Sequence, residues 1–185
     1  MMNILRILIF GVVALAQLAV PAAMVWQREQ TLKNGRVWKF RTAPVDPVDV
    51  IRGRYIALRF TAEEFAAPAK FEAGDKSVYA VLKQGTDGFA EVDHLTTEAV
   101  GTDDAVPVES VWWHGDKQHM RFPFNKFWVA EANAAAAERA YLENNRRDNQ
   151  NAYVTIRVRR GDAALDQLYI DNQPLFEYLR AHSPR

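Results

Sequence analysis

The chain has no cysteine, which removes disulfides, thiolate zinc sites, iron–sulfur ligation and cysteine nucleophiles together. The compartment stays open, because an extracytoplasmic domain with a large enough core holds together without bridges. Serine is scarce too: Ser77, Ser110 and Ser183 are the whole supply. None sits in a Gly-x-Ser-x-Gly setting, and no His-Glu-x-x-His, phosphate-loop or dinucleotide fingerprint occurs. Motifs therefore assign no catalytic residue and no cofactor. An excess of one charge is also missing, since Lys+Arg and Asp+Glu both number 23 among 185 residues. No overall field draws the chain to nucleic acid or to an anionic membrane surface. Internal repeats and low-complexity linkers are absent as well. Four histidines remain, of which His114 and His119 are five apart across an expected turn. A metal site needs at least a third ligand, from Asp93, Glu109 or Asp116, and exposed loop histidines without metal are the expectation.

One long hydrophobic run stands at the N-terminus. From Ile7 to Trp26 only Gln17 is strongly polar, with Gly11 and Pro21 inside the run. Twenty residues rise about 30 Å as a helix, the hydrocarbon thickness of a bilayer. Trp26 closes the run where an indole favours headgroups, and Gln27-Arg28-Glu29 follows. Residues 1–26 are expected to be a single-span anchor, and residues 27–185 one globular domain. The competing reading is a signal peptide cut near Val20-Pro21-Ala22. Arg6 alone precedes the span, whereas Arg28, Lys33, Arg36, Lys39 and Arg41 follow it, and that balance favours a cytoplasmic domain. A short basic head before a folded domain reads equally as a signal anchor.

Beyond the anchor the period is two. Trp38 and Phe40 alternate with Val37, Lys39 and Arg41; Val78, Ala80 and Leu82 alternate with Tyr79, Val81 and Lys83. Hairpins are expected around Gln84–Gly88, around His114–Lys117 and around Arg160-Gly161-Asp162. The segment from Ala130 to Arg147 lacks Gly and Pro and is rich in Ala and Glu, so it predicts a helix, with Ala134, Ala137, Tyr141 and Leu142 on one face and Asn144-Asn145 at its end. Seven to nine strands with one Ala-rich helix predict a mainly β (α+β) fold: an N-terminal transmembrane helix, then an antiparallel β-barrel or sandwich-like domain.

The segment from Pro44 to Phe60 reads as a proline-stiffened loop, a corner at Gly53 and a strand burying Ile56, Leu58 and Phe60. It contains Asp46-Pro47-Val48-Asp49-Val50-Ile51-Arg52-Gly53, then Arg54-Tyr55-Ile56-Ala57-Leu58-Arg59-Phe60. This run resembles the Gly-Asp-Tyr-x-x-Leu-x-Tyr signature of the GDYXXLXY family, membrane-associated bacterial proteins. Gly53, Tyr55 and Leu58 match; Arg54 stands in place of Asp and Phe60 in place of Tyr. The resemblance carries no known reaction. It implies an extracytoplasmic domain, and so a single-pass protein of the inner (cytoplasmic) membrane with its domain on the periplasmic side. It further implies a multi-spanning membrane protein as partner, and a second recurring segment around Phe127 to Glu131.

Candidate binding residues follow from both sources. Asp46, Asp49, Arg52, Gly53 and Tyr55 form the signature loop, with Arg54 adding to its polar surface; Trp128 and Glu131 belong to the second segment. Phe122, Phe124 and Trp112 are expected to fill the core, and the pairs Glu63-Glu64 and Asp103-Asp104 are expected to be solvated. The leading reading is a non-enzymatic envelope domain that binds a partner. The alternative is an envelope hydrolase or small-ligand binder working at the signature loop. The layout is similar to the β-fold of type I signal peptidases, but no serine lies near the end of the span to pair with a lysine.

Overall fold

The computed structural model describes residues 2–44, 55–67, 70–72, 74, 76–98, 101–146 and 149–182, with backbone alone for residues 2–5, 7 and 8. It begins with helix α1, Met2–Asn34, which contains Pro21. Residues Ile9–Asn34 are long and apolar enough to cross a membrane, and none of the apolar window is buried against the protein. Phe10, Leu15, Leu18 and Trp26 accordingly face outward. The helix does not stop at Trp26. Its last two turns are polar and continue on i,i+4 pairs, Glu29 with Lys33 at 3.2 Å and Gln30 with Asn34 at 2.8 Å.

Strand β1, Arg36–Arg41, follows after one residue, with Trp38 and Phe40 buried and Val37 exposed, as the alternation predicts. It pairs antiparallel with β12, Ala152–Arg159, and β12 pairs in turn with β13, Asp162–Ile170. The short β14, Gln173–Pro174, completes this sheet in the order β1-β12-β13-β14. The three expected hairpins are present. β4, Val78–Gln84, pairs with β5, Ala90–Thr96; β7, Ser110–His114, pairs with β8, Lys117–Arg121; and β12 pairs with β13. β6, Ala105–Val108, adds to the far edge of β4, and β3, Glu64–Phe65, to that of β8.

The strand after the signature loop is β2, Tyr55–Ala57, paired with β9, Lys126–Trp128. Ile56, Leu58 and Phe60 are all buried. Phe60 lies among Phe40, Phe122 and Phe124, with ring centroids 5.0 to 6.1 Å apart throughout the cluster. Edge-to-face packing of this kind holds the sheets together without a polar partner, so the phenylalanine that replaces tyrosine suits its surroundings.

The Ala-rich helix α2 spans Glu131–Glu143, shorter at both ends than its composition predicts, and buries Ala137, Ala140 and Tyr141. Two strands of two residues, β10 at Asn145–Arg146 and β11 at Asn149–Gln150, reverse the chain after it.

The fold is mainly β with an N-terminal apolar helix, and several expectations need correction. Among the described residues no sheet closes on itself, so the barrel alternative is set aside for open antiparallel sheets. Fourteen strands stand among the described residues, more than the seven to nine expected, because four have two residues and two have three, too short for a period to show. A further helix, α3, Leu175–His182, was not expected: eight residues give barely two turns of pattern. Trp112 is 39% exposed, since β7 turns it away from the core. Glu63, expected in solvent, is 8% exposed.

Candidate functional site

Strands β2 and β9 each have one inward residue, Ile56 and Phe127, packed in the core. The pleat then sends their neighbours to the opposite face. Tyr55 and Trp128 are directly opposed in the register, and their rings tilt together with centroids 5.2 Å apart. Lys126 Nζ stands 5.2 Å from the centre of the Tyr55 ring, within cation–π range. Trp128 remains 67% exposed. The pairing thus joins the last residue of the signature loop, Tyr55, to Trp128 of the second segment, two candidates 73 positions apart in sequence.

The fixed positions of these rings come from what lies beneath. Phe127 approaches Phe176 of α3 at 6.4 Å, and Val129 is buried immediately after Trp128. Ala130 precedes α2, whose first turn contains Glu131, where an acid is favoured by the unpaired amides of a helix start. Trp128 and Glu131 therefore flank one chain corner. Asp46, Asp49, Arg52, Gly53 and Arg54 lie outside the described residues, so of the signature set Tyr55 alone is placed. Lys126 was missed by sequence reasoning; its alternation with Phe127 was the available signal.

The loop's N-terminal end is held by polar contacts. Asn145 Nδ2 donates to Ala43 O at 2.8 Å and to the Tyr141 hydroxyl at 2.9 Å. Thr42 Oγ1 lies 2.8 Å from both Asn145 Oδ1 and Ala152 O. Burial raises the Tyr141 hydroxyl well above the ordinary tyrosine range, so it stays protonated. Ala43 N–H donates to Arg59 O at 2.8 Å. These contacts fix the residues on which the signature loop begins.

Glu63 completes the polar interior. Its Oε1 accepts from Phe122 N–H at 3.2 Å and its Oε2 from Phe60 N–H at 3.3 Å. Burial pushes its carboxyl above the ordinary glutamate value, against the pull of those two amides and of Arg121 and Arg59. Both oxygens are occupied by backbone, which makes it a structural tie for two strands.

A cleft of about 360 Å³ includes Arg41, Glu64, Lys83, Asp87 and Asp93 in its lining. Glu91 also lines it, and the other three carboxylates are engaged: Asp87 with Arg41 at 2.9 Å, Asp93 with Lys83 at 3.5 Å and Glu64 with Lys117 at 2.5 Å. All three are held below the ordinary carboxylate range, Asp87 first by the Phe89 amide, Asp93 by His94 and Glu64 by Lys117. They are exposed ion pairs, without the elevated acid that proton transfer near neutrality needs. His114 and His119 stand 5.9 Å apart edge to face, His119 stacks on Trp112 at 5.7 Å, and among the described residues no three His, Asp or Glu side chains gather.

No curated protein and no solved structure matches the chain. The family model described as GDYXXLXY protein matches residues 17–168, from the middle of the apolar run through the β2–β9 aromatic pair to near the end of β13. The chain therefore belongs to the GDYXXLXY family.

Proposed function

We propose that the chain is a single-pass protein of the bacterial inner membrane whose β-rich unit binds a partner protein through Tyr55, Lys126 and Trp128. Residues 1–26 form the anchor, residues 27–185 form one globular domain, and the domain lies on the extracytoplasmic side. The observation that carries this reading is the Trp128 ring, two-thirds exposed and braced by Tyr55 above a packed core. Rigid indole and phenol rings offer a large apolar area at small entropic cost, the chemistry that concentrates energy in protein interfaces. The signature residues Asp46, Asp49, Arg52 and Gly53 precede Tyr55 in sequence, and Glu131 follows Trp128 by three residues; we assign them to the same partner contact. Tethering by α1 raises the rate of encounter with proteins of the same bilayer, and a multi-spanning membrane protein is the partner that fits.

A photo-crosslinking residue in place of Trp128, in cells, is expected to capture a membrane protein. The same residue at Trp112, exposed on β7, is expected to capture none. Tyr55→Ala should weaken capture at position 128. Failure to capture any membrane protein at 128, with the protein folded and in the membrane fraction, would remove the proposal.

A further inference from the structure

Helix α1 does not end at the bilayer and hand over to a flexible linker. Its last turns lie on the β12–β13 hairpin, with Thr31 buried. Gly35 joins helix to sheet so closely that a Cβ there would stand 2.5 Å from Thr31 O and 3.0 Å from Val158 O. Eight residues back along the helix, Gln27 Nε2 donates to Asp162 Oδ2. Eight residues correspond to about 12 Å of helix, so from Val158 to Asp162 the hairpin travels along α1 toward the apolar span. Its turn, Arg160-Gly161, thus reaches the level of Gln27, one residue from Trp26 at the end of the apolar run.

The turn is held in place. Arg160, at φ 51°, donates its amide to Asp103 Oδ1 at 2.9 Å, and Gly161 N–H donates to Thr102 O at 2.9 Å. Asp104 is paired with Arg36 and Glu29 with Lys33, while Asp103 and Asp162 accept from the neutral donors just named. Arg28, Arg159 and Arg160 are left without a carboxylate within ion-pair distance among the described residues. A groove of about 380 Å³ runs between Met24, Val25, Gln27, Arg28 and Thr31 of α1 and Asp162, Ala163 and Ala164 of β13, mostly apolar, with Arg28 as its cation and Asp162 tied to Gln27.

We infer that this hairpin end is a lipid contact: Arg28, Arg159 and Arg160 take the phosphates of anionic phospholipids in the bilayer that α1 crosses. The domain then stands at a fixed height and tilt on the membrane. The near-neutral whole contributes no long-range attraction; the contact is local and depends on the helix bringing the arginines to the headgroups. The inference rests on the membrane-anchor reading and is tested so that the two can fail separately.

Because the chain lacks cysteine, single labels are straightforward. The full chain is reconstituted in vesicles with a fluorophore at Leu15→Cys, Thr102→Cys or Gln173→Cys, and quenched by nitroxide lipids. A label at Leu15 is expected to be quenched by mid-chain nitroxide. If it is not, the anchor itself is wrong. A label at Thr102 is expected to be quenched by headgroup nitroxide and one at Gln173, at the far end of β13, to stay bright. Quenching at Leu15 with equal brightness at 102 and 173 overturns the hairpin contact alone. Exchanging part of the phosphatidylcholine for phosphatidylglycerol should deepen quenching at 102. Substituting Arg28, Arg159 and Arg160 by Gln should reduce that preference roughly fivefold per arginine. Indifference to lipid charge overturns the assignment to anionic headgroups.

Discussion

Among single residues, Glu63 shows most directly how burial replaces a sequence expectation. It follows Ala62 and precedes Glu64 as though both acids were solvated, yet the 3₁₀ turn at Thr61–Glu63 places them on opposite sides. Glu63 goes inward to two backbone amides, while Glu64 goes outward to Lys117. Glu63→Ala leaves two buried N–H groups without an acceptor and is expected to cost about 2 kcal/mol in denaturant unfolding. The pH dependence has a definite sign. Burial raises the folded-state value above the ordinary 4.5, so the folded protein binds the proton more tightly than the unfolded chain. The stability linked to that proton is fully present below the ordinary value and is lost as pH rises through the raised one. Wild type should therefore gain stability relative to Glu63→Gln as pH falls from 7 toward 4.5. A difference that does not vary with pH would contradict the buried carboxyl. Tyr55, Ile56, Leu58 and Phe60 were legible because a period of two separates faces within a few residues. Trp112 was not, because an aromatic in an alternating run reads as core whichever face is covered.

Elements were legible where they were long. The β12–β13 hairpin has strands of eight and nine residues and a Gly161 at φ 83° in its turn, so both period and punctuation were visible. β6 and α3 were missed because four and eight residues give too little pattern. The continuation of α1 beyond the apolar run was not legible for a different reason. Apolarity stops at Trp26, but helical hydrogen bonding continues wherever i,i+4 pairs and a docking surface support it. Gly35 is where that continuation matters. Its neighbours at 2.5 and 3.0 Å are backbone atoms of Thr31 and Val158, which cannot rotate away as a side chain would. Gly35→Ala is expected to destabilise the full chain by about 1–3 kcal/mol, read as a lowered thermal midpoint in detergent. An unchanged midpoint would mean the helix–sheet junction has slack.

For the whole molecule, balanced charge and a helix fixed to the sheet separate two kinds of contact. The proposed partner surface is aromatic, so capture at Trp128 should change little between 0.1 and ~1 M salt, over which the screening length drops from about 10 to 3 Å. The proposed lipid contact is ionic, so quenching at Thr102 should weaken over the same range. A strong salt dependence at Trp128 would point to a charged partner face. By itself the sequence determined the apolar helix, the mainly antiparallel β character, the three hairpins and the family signature. Each of these is written in local periodicity or in a short run of residues, and both are properties of neighbours in the chain. Only the tertiary structure decided that Tyr55 meets Trp128, that Asn145 holds Ala43 and Thr42, that Glu63 faces inward, and that α1 runs on to lie along β12 and β13. Those contacts join residues far apart in the chain. They are selected by which faces pack and which buried polar groups find partners, a balance struck over the whole fold and carried by no single stretch of it.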